Sequence, residues 1–445
     1  MKSKIYKYAI MLAVIFALHA CTIENLADPN FPSVGSLQGN SSKAQLDAVV
    51  AGSFSLARNN MGTYLQITGT IGKELYNFNT TESRWMSDLN GINNLDNSAF
   101  YNGATTGFGL PIRQANILLA AADKSTLVSA TQKEAYKGVA NTFKGLAYLL
   151  MLNVQYQNGV RLNVEDPFKP SKPASYTESL AGIAGFLDAG AASLDAAGAT
   201  FPFSIPTGFV GFATPADFKK FNRAIALRVA IYQKDWTKAA AILPTTFISE
   251  AAGNDVGPKN TFNPQAPDLG NPLINIPTAT VVGAKEVWDL VAAGDTRKGK
   301  VTVVPTMTYT LNLPSPYTTT YVSNHNNQTG TTSIPIIRNE ELLLIKAEIA
   351  ANQLDFAESN RVLTIIRTRA GLAAYGTDPA NLNEAITRIL QERLYSLWYE
   401  GHRWVDMRRY DRLDQIVKPS NLQQMRIWPQ MERPIQEVNW NNANP

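Results

Sequence analysis

The sequence predicts a mostly helical protein, in which helices return in antiparallel pairs and are interrupted by long irregular loops. Three observations carry that expectation. Four alanine-rich stretches, Pro111 to Lys124, Thr131 to Gln155, Tyr176 to Ala197 and Pro215 to Leu243, place apolar residues at three- and four-residue steps. Near the C-terminus Ile386, Ile389, Leu390, Leu394, Leu397 and Trp398 repeat the same spacing. Between the helical stretches, Met61 to Phe108 and Ala251 to Ser333 collect most of the Asn, Gly, Thr and Pro and many of the aromatics. Loops of that length are costly to order and are usually either functional or flexible.

At the N-terminus, Lys2, Lys4 and Lys7 precede an apolar run from Ala9 to Leu18, of signal-peptide length and too short to span a bilayer. Leu18-His19-Ala20-Cys21 then resembles a bacterial lipobox, with His19 as the departure from its usual small residue. The chain contains one cysteine, so an internal disulfide is excluded and Cys21 requires another role. Acylation, with palmitate-type chains at roughly 0.8 kcal/mol per buried methylene, anchors a protein without a transmembrane helix. The expected organisation is a lipoprotein signal peptide over residues 1–20, a flexible lipid tether over 21–40 and a single helical domain over 41–445. Thr22 to Gly39, rich in Asn, Pro, Ser and Gly, suits a tether. No low-complexity linker divides the remainder. Loss of the leader removes three lysines from 40 basic residues and leaves 37 against 36 acids, a balance that argues against nucleic-acid binding.

The long helix near the middle is expected to open at Thr131, a hydroxyl N-cap with Glu134 three residues on. Ala140 to Tyr148, and Phe221 to Tyr232 followed by Asp235-Trp236-Thr237-Lys238-Ala239-Ala240, look like tetratricopeptide-type helix pairs. Their small residues admit a neighbouring helix while Phe, Leu and Tyr fill the gaps, although the period is irregular.

The first loop region holds Tyr64, Tyr76, Asn77, Asn79, Arg84, Trp85, Asp88 and Tyr101. The second holds Trp288, Asp295, Arg297, Tyr317, Tyr321, Asn324, His325, Asn326, Asn327 and Gln328. Aromatic rings mixed with amides and a few charges suit a carbohydrate: a ring face meets the C–H side of a sugar while Asn, Gln, Asp and Arg bond its hydroxyls. A loop aromatic also commonly plugs the body, and Trp288, between Val287 and Leu290, reads as core. Trp85, beside Arg84 in a polar loop, reads as the better ligand ring.

Catalytic patterns are sparse. Beyond His19 the histidines are His325 and His402, with no His-Glu-x-x-His and no second cysteine for a metal site. Glu392, Glu400 and Asp406 stand beside arginines that favour their ionised forms, which suits an ion-pair network and disfavours a proton donor. Asp88, Asp96 and Asp295 are the carboxylates left for a hydrolase. The expectation is a protein that is not an enzyme and uses no cofactor or metal.

The most specific stretch is Gln391 to Tyr410, QERLYSLWYEGHRWVDMRRY. Glu392-Arg393 followed by Tyr399-Glu400-Gly401, Arg403, Asp406-Met407 and Arg409 resembles the signature of the SusD/RagB family, with Ser396 where the family usually carries an acid. Pro335, Arg338 and Glu341 ahead of an apolar helix with Ala347-Glu348, and Arg367-Thr368-Arg369-Ala370-Gly371-Leu372, match two further motifs. Trp428-Pro429 through Asn439 to Pro445 looks like a worn form of the family's tail. These motifs cover about a quarter of the chain, in a signature region at about 300–445.

The resemblance implies a SusD-like body with four tetratricopeptide-like helix pairs in the N-terminal half. It also implies a lipid anchor in the outer membrane, with the protein exposed at the cell surface, and a glycan or oligosaccharide ligand. The implied partner is a SusC-type TonB-dependent porin, over which the protein acts as a hinged lid in nutrient uptake. Family usage places ligand residues in the two loop regions; the expected set is Trp85, Tyr76, Asn77, Arg84, Asp88, Tyr101, Tyr317, Tyr321 and Asn324. The alternatives are a peptide-binding relative, a lipid-anchored polysaccharide hydrolase, or a tetratricopeptide scaffold for peptides or proteins.

Overall fold

The computed structural model describes residues 34–37, 39–166, 168–266, 268–274, 280–324 and 330–444. The leader, Cys21 and most of the tether, and His325 to Gln328, lie outside the described residues. Among the described residues no helix is long and apolar enough to cross a membrane.

Helix α1 (Lys43–Asn59) is followed by α2 (Met61–Ile71), strand β1 (Leu75–Asn77) and the short helix α3 (Arg84–Ser87). Helices α4 (Gly109–Lys124), α5 (Ala130–Gln155), α6 (Tyr176–Ala196) and α7 (Pro215–Tyr232) then pack each against the next. The expected helix to Leu243 divides. A turn at Gln233 to Asp235, with Lys234 at φ +58°, separates α7 from α8 (Trp236–Ile242), and Asp235 caps α8 through the Lys238 N–H. The expected Thr131 cap is corrected as well. Ser129 is the N-cap, its hydroxyl accepting from Gln132 N while the Gln132 side chain accepts from Ser129 N. Small residues permit the close packing. A Cβ on Gly138 would meet the Leu194 side chain at 2.6 Å, and one on Gly145 would meet Leu187 at 2.7 Å, both on α6.

The C-terminal part adds α9 (Lys285–Trp288), α10 (Asn339–Asn352), α11 (Phe356–Arg369), α12 (Leu382–Ser396), α13 (Arg403–Arg409) and α14 (Ile435–Ala443). Leu343, Ala347, Leu363, Ile366, Ile386, Ile389 and Leu390 form a core between α10, α11 and α12. Trp288 is fully buried, as its apolar flanks indicate, and packs edge-on against Trp398.

The motif charges form buried pairs that join this part to itself and to the N-terminal helices. Glu341 on α10 accepts two hydrogen bonds from Arg228 on α7, at 2.7 and 2.6 Å. Arg338 pairs with Glu340 and with Glu400, the latter at 2.9 Å. Glu392 receives Arg297 at 2.7 Å, Arg367 at 2.8 Å and the Tyr375 hydroxyl at 2.8 Å. Asp406 receives Arg393 at 2.6 Å and Arg409 at 3.0 Å, and Arg409 also pairs with Glu348. Burial alone would raise the carboxyls of Glu400 and Asp406. Arg338 and Lys300 around the first, and Arg393 and Arg409 around the second, outweigh burial and hold both at about 2. Glu400 is therefore held by Arg338 rather than by its sequence neighbour Arg403, which donates toward the Leu390 carbonyl. Gly401, at φ +81°, makes the turn between α12 and α13 possible; a Cβ there would meet the Tyr64 ring at 2.7 Å.

Candidate functional site

The two loop regions meet in one antiparallel sheet. Strand β1, from the first, pairs with β3 (Val281–Gly283), which pairs with β5 (Tyr317–Ser323), which pairs with β4 (Val301–Tyr309), giving the order β1-β3-β5-β4. The register of β4 on β5 slips between Val303 and Met307, around Pro305, which has no N–H to offer a ladder. A second, two-stranded sheet joins β2 (Lys259–Asn260) to β6 (Ile334–Pro335). Glu74, just before β1, ties this sheet to the signature turn. Its carbonyl accepts from Ala284 N and from Trp398 Nε1, each at 3.0 Å, and its carboxyl accepts from Tyr399 N at 3.1 Å. Burial pushes that carboxyl up to about 8.

Bringing the loops together buries most of the rings that the sequence nominates for a ligand. Tyr76 and Tyr317 pack edge-on at 4.6 Å. Tyr317 Oη accepts from Lys285 N and donates to Glu286, and Tyr321 Oη donates to Asp289 at 2.7 Å. Tyr101 is fully buried, its hydroxyl donating to Asp88 at 3.1 Å. The expectation of open ring faces at Tyr76, Tyr101, Tyr317 and Tyr321 is thus corrected: Tyr76 and Tyr317 belong to a small core beneath the loops, and Tyr101 and Tyr321 to the main core of the body. Asn77, bonded to Gln66 and to Asn79 N, is buried too, and Asn324 is committed to Thr302 and the Gly299 carbonyl. Asp88 accepts from Ser87 and Tyr101. Asp295 is buried in a pair with Arg297, which takes it out of reach as a hydrolytic carboxylate.

Trp85 is only 8% exposed and leans on Phe100, the ring centroids 4.8 Å apart. The groups that reach the surface surround it. Arg84, on α3, is held by two bonds to Glu82 (2.8 and 2.7 Å), lies 3.7 Å from Asp96 and covers the part-exposed Phe100 ring. From the C-terminal tail, Trp428 donates through Nε1 to the Asp88 carbonyl at 2.8 Å, and Arg426 lies 4.4 Å over the Trp428 ring. Arg426 also donates to the Gly91 carbonyl and to Asn94, each at 3.0 Å. Gly91 has φ +71°, and a Cβ would meet the Arg426 backbone at 2.5 Å, so the close approach of tail and loop requires glycine. Sequence reasoning missed Phe100, Arg426 and Trp428. Phe100 stood beside Tyr101 in the same loop, while the tail residues lie more than 300 positions from the loop they cover. The set of Arg84, Asp96, Phe100, Arg426 and Trp428 presents two cations, a carboxylate and two part-exposed rings around one short helix. Such a surface can stack on a flat apolar face and bond several hydroxyls.

Comparison with known proteins follows this architecture. The SusD family model matches residues 283–444. No curated protein matches the sequence. Among solved structures, a SusD superfamily protein from Bacteroides vulgatus ATCC 8482 superposes with a TM-score of 0.69 at 14% identity, covering 90% of this chain and 97% of its own. Surface glycan-binding protein A from Bacteroides uniformis gives 0.67 at 15% identity, covering 90% and 99%. Surface glycan-binding protein A from Bacteroides thetaiotaomicron, solved in complex with laminarihexaose, gives 0.68 at 12% identity, covering 91% and 98%. The resemblance read from Glu392 to Arg409 is borne out. The family model takes in the signature region, over residues 283–444, and the fold over nine-tenths of the chain is similar to that of a SusD superfamily protein.

Proposed function

We propose that the protein is a cell-surface lipoprotein that binds a glycan or oligosaccharide at the Arg84–Phe100–Trp428 face. It then delivers the ligand to a SusC-type TonB-dependent porin, acting as that porin's lid. What supports the reading is the fold itself: it is shared, over nine-tenths of this chain, with proteins named as glycan-binding, one of them solved with laminarihexaose. The lipobox-like Leu18-His19-Ala20-Cys21 supports the anchor. The buried rings beneath the loops hold the face in place, and Arg84, Asp96, Phe100, Arg426 and Trp428 make the contacts. Modest affinity suits the task, since a captured ligand has to be released into the porin. An array of neutral and acidic oligosaccharides and of peptides, probed with the purified protein, tests the ligand class. Retention of an oligosaccharide series is expected; retention of peptides alone refutes the glycan reading. Release of shortened products from a retained glycan would refute binding without catalysis.

A further inference from the structure

A groove of about 1000 Å³ lies between the segment that follows α5 and the C-terminal helix α14. Arg161, only 9% exposed, sews its two walls together. Its guanidinium donates to Glu437 on α14 at 2.6 Å, to the Asn441 amide oxygen and to the Ser171 carbonyl. A bridge between Val160 and Ala174 closes the segment's base, and Arg433 donates to the Asn158 carbonyl at 2.6 Å. The concavity is therefore held by the part-buried bonds of Arg161 and Arg433.

Its lining is strongly cationic. Lys169, Lys172 and Arg433 face the groove, and none has a carboxylate within ion-pair distance among the described residues. The lining carboxylate Glu178 is already occupied at the N-cap of α6, where it accepts from Ser175 N and Oγ. Two rings accompany the cations: Phe168, 82% exposed, and the part-exposed Trp440. Unpaired cations around a concave wall focus positive potential, and the volume is large for a small-molecule site. Cations beside exposed rings match a chain of sugar rings bearing carboxylates: charge-assisted bonds take the acid groups and the ring faces stack.

We propose that this groove binds an anionic oligosaccharide carrying carboxylate groups, at a site separate from the Arg84–Phe100–Trp428 face. The assignment goes beyond the proposed function and does not depend on which glycan the loop face takes. Calorimetric titration of the full chain with a hexamer of galacturonic acid, laminarihexaose and hexa-aspartate tests it. The proteins compared are wild type, the Lys169→Gln/Lys172→Gln double variant, Trp440→Ala and, as a control at the loop face, Phe100→Ala. The acidic hexasaccharide is expected to bind wild type and Phe100→Ala equally. Its affinity should fall about tenfold or more in the lysine double variant, as expected for lost charged hydrogen bonds. It should also fall in Trp440→Ala, and between about 50 and about 300 mM salt as screening tightens. No binding of the acidic hexasaccharide, or binding indifferent to the lysine substitutions, overturns the proposal. Tighter binding of hexa-aspartate makes the groove a peptide site and overturns it as well. Loss in Phe100→Ala alone assigns the acidic sugar to the loop face.

Discussion

Replacing Glu341 with Gln keeps the volume of the side chain and removes its charge. In the folded chain Glu341 receives Arg228 Nε at 2.7 Å and Nη2 at 2.6 Å, and both side chains are 5% exposed or less. Burial would raise the Glu341 carboxyl, but Arg228 and His402 keep it below the usual carboxylate range, so it is ionised at neutral pH. The substitution leaves Arg228 charged inside the joint between α7 and α10. Removing one partner of a fully buried pair costs roughly 3–5 kcal/mol. With an unfolding entropy of about 2.1 cal/mol/K per residue over roughly 400 residues, that corresponds to a fall in Tm of about 4–6 °C. Differential scanning calorimetry at neutral pH measures it. The companion variant Arg228→Met/Glu341→Leu removes both charges and should recover most of the loss, because an apolar pair of similar size avoids the desolvation cost. A Tm within about 1 °C of wild type for Glu341→Gln, or a double variant no better than the single one, would refute the buried-pair reasoning.

Cys21→Ala should move the protein from the membrane fraction to an exported soluble one; sedimentation with outer membranes after a high-salt wash would contradict lipid anchoring. Trp85→Ala should lower stability by roughly 3–5 kcal/mol, since the ring is buried against Phe100, and urea unfolding with an unchanged midpoint would restore Trp85 as an open ligand platform. Glu74 carries a pH signature. Its folded pKa is raised from 4.5 to about 8, so its contribution to stability is present in full below 4.5 and is lost as pH rises through 8. Glu74→Gln, which imitates the protonated form, should match wild type near pH 4 and melt higher than wild type near pH 8; parallel Tm profiles across that range would contradict it.

The helical body was legible because its signal is local. Apolar periodicity and the alanine content of Thr131 to Gln155 placed α5 to within a residue, and the motif around Glu392 and Arg409 identified a charged turn. The partners of those charges were not legible. Arg228, Arg297 and Arg338 lie far from Glu341, Glu392 and Glu400 in sequence, and nothing in the local pattern separates Arg338 from Arg403 as the mate of Glu400. The loops failed for the same reason. Tyr76 and Tyr317 read as exposed loop aromatics until β1, β3 and β5 pair and close one ring over the other. Phe100 and Trp428 then become the rings at the surface, although Trp428 sits in a tail whose sequence indicated only an ending. The cap at Ser129 in place of Thr131 is a smaller case: two hydroxyls and two possible third-position partners stood in one short window, and geometry selected Ser129 with Gln132.

Ligand capture at the loop face is tested most directly by titrating one oligosaccharide, the member of the array retained best, into wild type, Phe100→Ala and Arg426→Ala. Loss of ring stacking at about 1 kcal/mol should weaken binding about fivefold in Phe100→Ala. Loss of a charged hydrogen-bond donor should weaken it by about tenfold or more in Arg426→Ala, and both variants should remain folded by circular dichroism. Affinities equal to wild type in both folded variants would contradict a glycan site built from Arg84, Phe100, Arg426 and Trp428.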